Sequence, residues 1–227
     1  MAGSGRAISI VDHQLPDDDH NRYDVIFFDR QIPTLLTHSP SMVSFWLSQL
    51  PPPPRLVGLD VEWRPNFSTY SDHPIATIQL CTAAAAASSA TSLIFQILQA
   101  PHVPKELADF LDDPANKFVG VGIGEDVEKL LVDYGLRVGN PVDLRSLAGK
   151  ALKNAGLKTL AKEVLGKEVE KPKRVTRSRW DNPWLTPAQV QYACLDAFLS
   201  FEIGRSLTAS ATSSAASASA STAVAAA

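Results

Sequence analysis

The 227-residue chain contains only two cysteines, Cys81 and Cys194, and it has no long hydrophobic run. Two cysteines without metal-ligand spacing exclude a disulfide framework and a cysteine-based zinc site, so we expect two buried thiols in a reducing compartment. No stretch approaches the roughly 18 apolar residues of a membrane span, and the N-terminal residues lack a secretory signal. A net charge of -3 gives no general attraction to polyanions. We therefore expect a protein of the nucleus and/or cytoplasm with no membrane association.

Apolar residues make up 45% of the chain, which is enough for one globular domain. We predict this domain over residues 22–207. Residues 1–21 are mixed and polar and include three consecutive aspartates, so we expect a flexible N-terminus. Residues 208–227 contain only Ala, Ser, Thr and one Val, so we expect a disordered tail.

The apolar pattern places most strands before most helices. Alternating or continuous apolar runs predict strands at 23–29, 56–63, 75–82, 91–97, 117–123 and 141–143. Helical spacing predicts helices near 41–50, 104–112, 125–134, 144–153, 157–165 and 187–206. Three consecutive strands with short connections favour an antiparallel meander, and the later alternation favours βαβ units. This order predicts an α/β fold with a mixed sheet flanked by helices.

Two acidic residues interrupt the strand at 56–63. Asp60 and Glu62 are two residues apart, so their side chains share one face of the strand, opposite Leu59 and Val61. A strand with one solvated face would explain the pair. If the pair is buried, however, a cation has to lie between the two carboxylates, because burying both charges alone costs several kcal/mol.

A second acidic position follows a glycine-rich strand end. In the segment VGVGIGEDVEKLL, Asp126 opens an amphipathic helix. A dinucleotide-binding turn is excluded, because the spacing is GxGxG and because Glu125 and Asp126 would face an anionic ligand. An acid that stabilises the helix start through the helix dipole is the simple alternative for Asp126.

A third motif lies on the last predicted helix, in TPAQVQYACLDAFLSFEI. Thr186 and Pro187 form a favourable helix start, with an N-cap followed by proline. Tyr192 and Asp196 are four residues apart, so they lie on one face, one turn from each other. Alone, such a pair is usually exposed or serves in capping.

Together, GLDVEW, GVGIGEDVEKL and QYACLDAF resemble the DEDD exonuclease superfamily, in the branch with tyrosine in the third motif. Within that branch they are most similar to the Werner-type exonuclease domain and its stand-alone plant relatives. The resemblance covers roughly residues 22–207. It implies an RNase H-like fold with a five-stranded mixed sheet, and 3'-5' exonuclease activity that releases nucleoside 5'-monophosphates.

The same resemblance implies a site with two divalent cations, Mg²⁺ or Mn²⁺. Asp60 would bridge both cations, Glu62 and Asp196 would complete the site that activates water, and Asp126 would hold the second cation. Two cations about 4 Å apart acidify a water and neutralise the phosphoryl oxygens. Tyr192 would orient or deprotonate the attacking water.

The nucleic-acid contacts are expected in a basic segment. Residues 171–179 read KPKRVTRSR, with five cations and no acid, and Lys158 lies beside another helix start. The predicted contacts are Lys158, Lys173, Arg174, Arg177 and Arg179. A solvated basic loop or a nuclear-import patch would also explain the segment.

Two other functions fit the resemblance less directly. The DNA activity of the Werner-type relatives is favoured over an exoribonuclease activity of the RNase D type. A non-catalytic nucleic-acid-binding module would have tolerated loss of a carboxylate, whereas all four are present. A protein partner for targeting is also expected.

Overall fold

The computed structural model describes residues 8–66, 72–85 and 89–224, with side chains described through residue 210. Eight strands form one sheet: β1 Ile8–Asp12, β2 His20–Phe27, β3 Arg30–Thr37, β4 Arg55–Trp63, β5 Ile75–Ala83, β6 Ala90–Phe95, β7 Asn116–Gly120 and β8 Pro141–Asp143. The α-helices are α1 Pro40–Ser48, α2 Lys105–Asp112, α3 Ile123–Tyr134, α4 Leu144–Leu147, α5 Leu157–Leu165, α6 Lys173–Thr176 and α7 Pro187–Val224. Short 3-10 turns lie at Ile97–Gln99 and Lys150–Leu152.

The strand order is β1-β2-β3-β6-β5-β4-β7-β8. The expected meander is present, since β4, β5 and β6 pair antiparallel in sequence order, while β7 pairs parallel to β4 and β8 parallel to β7. The α/β class with a mixed sheet is therefore confirmed. The strand count is eight rather than five, because β1, β2 and β3 form an antiparallel unit that joins the edge of β6.

The N-terminal expectation needs a correction within residues 1–21. β1 lies inside the segment expected to be flexible, and it pairs with β2 from Ile8 opposite Phe27 to Asp12 opposite Tyr23. The alternation of Ile8 and Ile10 with polar residues is too short to stand out beside the aspartate run. Pairing with a neighbouring strand, rather than local propensity, orders it. Residues 1–7 lie outside the described part of the chain.

β3 is the other strand that the sequence pattern does not predict. It contains Pro33, which normally disfavours a strand between two neighbours because proline has no N–H to donate. The structure tolerates this proline because pairing with β6 begins only at Thr34. Pro33 itself lies opposite Asp24 of β2 alone.

The tail also differs from the expectation of disorder from residue 208. Helix α7 continues to Val224, well past Leu207, which is the last of the described side chains that pack against the core. Alanine has the highest helix propensity, and no proline interrupts the segment. Disorder was expected because residues 208–227 have no large apolar side chains, whereas the helix propensity of alanine favours the observed helix. Residues 225–227 lie outside the described part.

Two apolar clusters sandwich the sheet. Along β4, Val57, Leu59 and Val61 belong to the cluster that includes residues of α1, α2 and α3. The opposite face of β4 is directed toward α7, whose Ala193, Ala197 and Phe201 belong to the second cluster. The expected site acids of β4 are therefore directed toward α7. Within the described residues, no helix is both long and apolar enough to cross a membrane.

Candidate active site

A glycine brings β4 and α7 into direct backbone contact. A Cβ atom added at Gly58 would lie 2.0 Å from the carbonyl oxygen of Ala197. Real Cβ atoms do not approach so closely, so any larger residue would push the helix away from the strand. Gly58 is two residues before Asp60, and Ala197 follows Asp196. The contact therefore fixes the distance between the acids of the first and third motifs.

Three of the predicted acids form a tight cluster. One carboxylate oxygen each from Asp60, Glu62 and Asp196 lies within 4.8 Å of the others. Asp196 is only 4% exposed, and the other two are half-buried. Three carboxylates at this spacing repel one another in a site with little water.

The pKa values of all three carboxyl groups are raised, as burial and mutual repulsion require. Burial and then the charges of Asp196 and Glu62 raise the pKa of Asp60 well above its usual value. Burial and the charge of Asp196 do the same to the pKa of Glu62. Burial also raises the pKa of Asp196, although a neighbouring lysine opposes that rise. The site therefore favours protons or a cation over three free negative charges.

Asp60 carries an unpaired oxygen into this cluster. Its Oδ2 atom is fully buried and has no hydrogen-bond partner among the residues the structure describes. Buried carboxylate oxygens without partners are costly, and hard oxygen donors are the ligands that Mg²⁺ and Mn²⁺ prefer. The donor set thus fits a divalent cation and offers too few hydrogen-bond donors for a purely structural cluster.

Asp126 lies in the first turn of α3, outside the tight cluster. The N-cap position belongs to Gly122, so Asp126 does not cap the helix. Burial and the charge of Glu125 raise the pKa of Asp126 to about 7. Its charge also acts on Asp60 and Glu62. Asp126 on α3 therefore acts on the cluster at a longer range than its three acids act on one another.

Tyr192 lies one turn before Asp196 and is 7% exposed. Its ring packs beside Trp180, with the ring centroids 6.0 Å apart. Burial and the charges of Asp196 and Glu62 raise the pKa of the phenol. Thr186 accepts from the Gln189 N–H at 3.4 Å and donates its own N–H back to the Gln189 side chain, so the expected start of α7 is confirmed.

A lysine that the sequence does not single out reaches the carboxylates. Lys171 Nζ lies 2.6 Å from Asp196 Oδ2 and 5.2 Å from the Tyr192 ring centroid. In the sequence it is one of five cations in a basic segment. The only distinguishing signal is its place between Val169 and Val175, which are both buried.

The five predicted nucleic-acid contacts are all solvent-exposed, and they do not join the carboxylate cluster described above: Lys158, Lys173, Arg174, Arg177 and Arg179. Arg179 donates to Asp181 at 2.8 Å, which partly neutralises it. Arg64, at the end of β4, also pairs with Asp181, at 3.4 Å. The role of the five residues stays a prediction.

The tryptophans next to the motifs serve mainly in packing. Trp180 is buried, and Trp63 packs partly against the apolar cluster beneath β4. Trp184 is 40% exposed and contacts the ring of His38.

Known proteins resemble this chain in both sequence and fold. The 3'-5' exonuclease family model matches residues 44–211. An Arabidopsis thaliana 3'-5' exonuclease is 32% identical over 157 residues, which cover 66% of this chain and 52% of the relative. The mouse bifunctional 3'-5' exonuclease/ATP-dependent helicase WRN is 35% identical over 155 residues, covering 67% of this chain and 11% of that protein. The chain thus spans about half of one relative and a small part of the other.

Solved structures agree on the architecture. The EXO domain of Aedes aegypti Nibbler superposes with a TM-score of 0.60 at 18% identity, covering 78% of this chain and 86% of that one. Brucella melitensis NrnC gives a TM-score of 0.53 at 18% identity, covering 67% and 71%. At this identity the likeness shows the fold alone, and it confirms the RNase H-like class. Because the family match spans the three acidic motifs, the chain belongs to the 3'-5' exonuclease family.

Proposed function

We propose that this chain is a metal-dependent 3'-5' exonuclease that cuts phosphodiester bonds from the free 3' end of a nucleic acid and releases nucleoside 5'-monophosphates. The observation that carries the proposal is the buried cluster of Asp60, Glu62 and Asp196, with one Asp60 oxygen unpaired. A surplus of buried carboxylates is unfavourable for folding and is explained by a cation that they bind. Family membership supplies the reaction class.

The four acids would hold two divalent cations. Asp60, Glu62 and Asp196 would provide the ligands of the first site, and Asp126, from α3, would contribute to the second. When bound, the cations supply an acidified water and neutralise charge on the phosphoryl oxygens. The number of ions rests on the four-acid arrangement and is itself part of the proposal.

Tyr192 would position the water that attacks phosphorus. Its hydroxyl is held beside Asp196 by the helical spacing of four residues. Burial and the charges of Asp196 and Glu62 raise the pKa of the phenol in the metal-free site. Bound cations would act in the opposite direction, so Tyr192 would orient the attacking water or take its proton. A Tyr192→Phe variant would then bind substrate but turn over slowly.

Degradation of labelled oligonucleotides tests the activity. The full chain is incubated with 5'-labelled single-stranded DNA, recessed duplex DNA and RNA of matched sequence, with Mg²⁺, Mn²⁺ or EDTA. We expect a cation-dependent ladder that shortens from the 3' end. Asp60→Asn should abolish the ladder, and the matched control Asp109→Asn, at an exposed position of α2, should keep it. The expected preference for DNA rests on the resemblance, and the three substrates decide it. Intact oligonucleotides on every substrate, with binding retained, would favour a non-catalytic binding module.

The path of the strand beyond the site is proposed to follow α6 and its flanks. Lys173, Arg174 and Arg177 are exposed there, on a chain whose net charge is -3. Replacing all three with glutamine should weaken binding and reduce the slope of log K against log salt by about 2 to 3, since each phosphate contact contributes about 0.7 to 0.9. Fluorescence anisotropy at several salt concentrations measures the slope. An unchanged slope would leave the segment as a solvated loop.

A further inference from the structure

Lys171 reaches the carboxylate cluster from the connection between α5 and α6. Its amine lies 2.6 Å from Asp196 Oδ2, and the lysine side chain is 33% exposed whereas that of Asp196 is 5% exposed. Three of the other cations of the same segment, Lys173, Arg174 and Arg177, are exposed. Lys171 is therefore directed inward from an otherwise solvent-facing basic segment.

The Lys171 amine brings a positive charge to the cluster of three carboxylates. The positive charge of Lys171 acts on Asp60 and Glu62 as well as on Asp196. A divalent cation at the same acids would bind the carboxylate of Asp196, which the ammonium now contacts through Oδ2. The two cations therefore compete, because like charges at such range repel strongly in a site with little water.

We propose that Lys171 is the resident counter-ion of the metal-free site and that it leaves Asp196 when a divalent cation binds. This inference rests on the metal site of the proposed function and adds a determinant of its affinity. Lys171 stabilises the protein without metal and, by the same contact, weakens metal binding. Linkage requires both effects, since a ligand that displaces a favourable contact gives up the free energy of that contact.

The surroundings give the displaced amine somewhere to go. A cavity of about 380 Å³ is lined by Lys171, Tyr192 and Asp196, and also by Glu168 and Glu170. The lysine side chain moves into this space by rotation about its own bonds, without a backbone change. Glu170 offers the ammonium an acidic neighbour at the end of that movement, while Glu168 already pairs with Lys162 at 2.8 Å.

Titration of the full chain with Mn²⁺, without nucleic acid, tests the proposal. Isothermal calorimetry compares wild type with Lys171→Met, which keeps the length and removes the charge. We expect Mn²⁺ to bind roughly tenfold more tightly to Lys171→Met. Lys173→Met, an exposed cation in the same segment, is the matched control and should stay within about twofold of wild type. Lys171→Arg retains the charge and should not show the tightening.

Thermal unfolding gives a second readout. With EDTA, Lys171→Met should melt at a lower temperature than wild type, and Mn²⁺ should raise its melting temperature by more than it raises that of wild type. If Lys171→Met does not fold in EDTA, recovery of its folding by Mn²⁺ supports the proposal and no recovery overturns it.

The outcomes separate this inference from the proposed function. Unchanged or weaker Mn²⁺ binding in folded Lys171→Met, with wild type binding normally, overturns the role of Lys171 and leaves the exonuclease proposal intact. Wild type that binds no Mn²⁺ removes the metal site itself, and both proposals fall together.

Discussion

Helix α7 carries two buried acids in opposite situations. Glu202 is 7% exposed, and it accepts from Arg30 and Arg205. Asp196, six residues earlier, is equally buried but lies against Asp60 and Glu62, with Lys171 as the cation paired with it. At Glu202 the arginines balance the acid. At Asp196 the acids exceed the cations, and such an excess distinguishes a site that binds a cation from an ion pair that holds a fold together.

The largest effect on activity should come from removing one carboxylate charge of the buried cluster. Asp60→Asn or Asp196→Asn should lower the rate of 3'-end degradation by on the order of 10³-fold, because each removes a ligand charge from the site that activates water. Asp60→Asn should be at least as stable as wild type in EDTA, since a repulsion is lost, whereas Asp196→Asn also loses its contact with Lys171. Gel assays measure the rate and urea unfolding measures the stability. Retained degradation would show that the cluster is not the active site.

A second substitution disrupts the backbone contact between Gly58 and Ala197, which holds the acids of β4 and α7 close together. Gly58→Ala places a Cβ atom 2.0 Å from the Ala197 carbonyl, so β4 and α7 must separate. We expect a loss of about 3 kcal/mol in the free energy of unfolding, as for other overpacked sites. Urea unfolding measures it. Gly124→Ala is the matched control, because no described residue outside its own helical turn lies within 4 Å of the added Cβ and because alanine favours the helix. Equal stability of the two variants would contradict the close contact.

The balanced acid should respond in the opposite way. Glu202→Gln removes the charge between Arg30 and Arg205, both partly exposed, so we expect a loss of about 1 to 2 kcal/mol in unfolding free energy after allowance for solvent screening. Its exonuclease rate should stay near that of wild type. A loss of activity as large as that of Asp196→Asn would remove the distinction between the two acids of α7.

The metal-free protein should also show a pH dependence of its stability. The pKa of Asp126 is about 7 in the folded chain, above the usual value near 4, so the native state holds a proton that the unfolded chain has released. The stability contributed by this group is present below pH 4 and is lost as the pH rises through about 7. Compared with wild type, Asp126→Asn should therefore gain stability in EDTA as the pH rises from 4 to 7, and the gain should level off above pH 7. Urea midpoints across this range measure the difference, and parallel curves would contradict it.

The motifs could be found from the sequence because their geometry is local. Alternation places Asp60 and Glu62 on one face, and the four-residue spacing places Tyr192 beside Asp196. That these two pairs meet does not follow from either pattern. It depends on the contact of Gly58 with Ala197, between residues 139 positions apart. The family resemblance supplied the link that local physics could not.

The parts that were missed depend on long-range partners or on competing tendencies. β1 and β3 are ordered by their pairing with β2 and β6, which no single segment reveals. In the last part of α7, the helix propensity of the alanines favours a helix and the lack of packing partners favours disorder, and the structure shows a helix to Val224. Lys171 differs from its basic neighbours only in which side of the loop it occupies, and this is set by the packing of Val169 and Val175.

Direct binding of Mn²⁺ to the full chain tests the central claim, that the excess of buried carboxylates is a divalent cation site. Calorimetric titrations would compare wild type with Asp60→Asn and Glu202→Gln. We predict that wild type and Glu202→Gln bind Mn²⁺ with the same affinity, while Asp60→Asn binds at least tenfold more weakly. Equal binding by all three proteins, or no binding by wild type, would contradict the account.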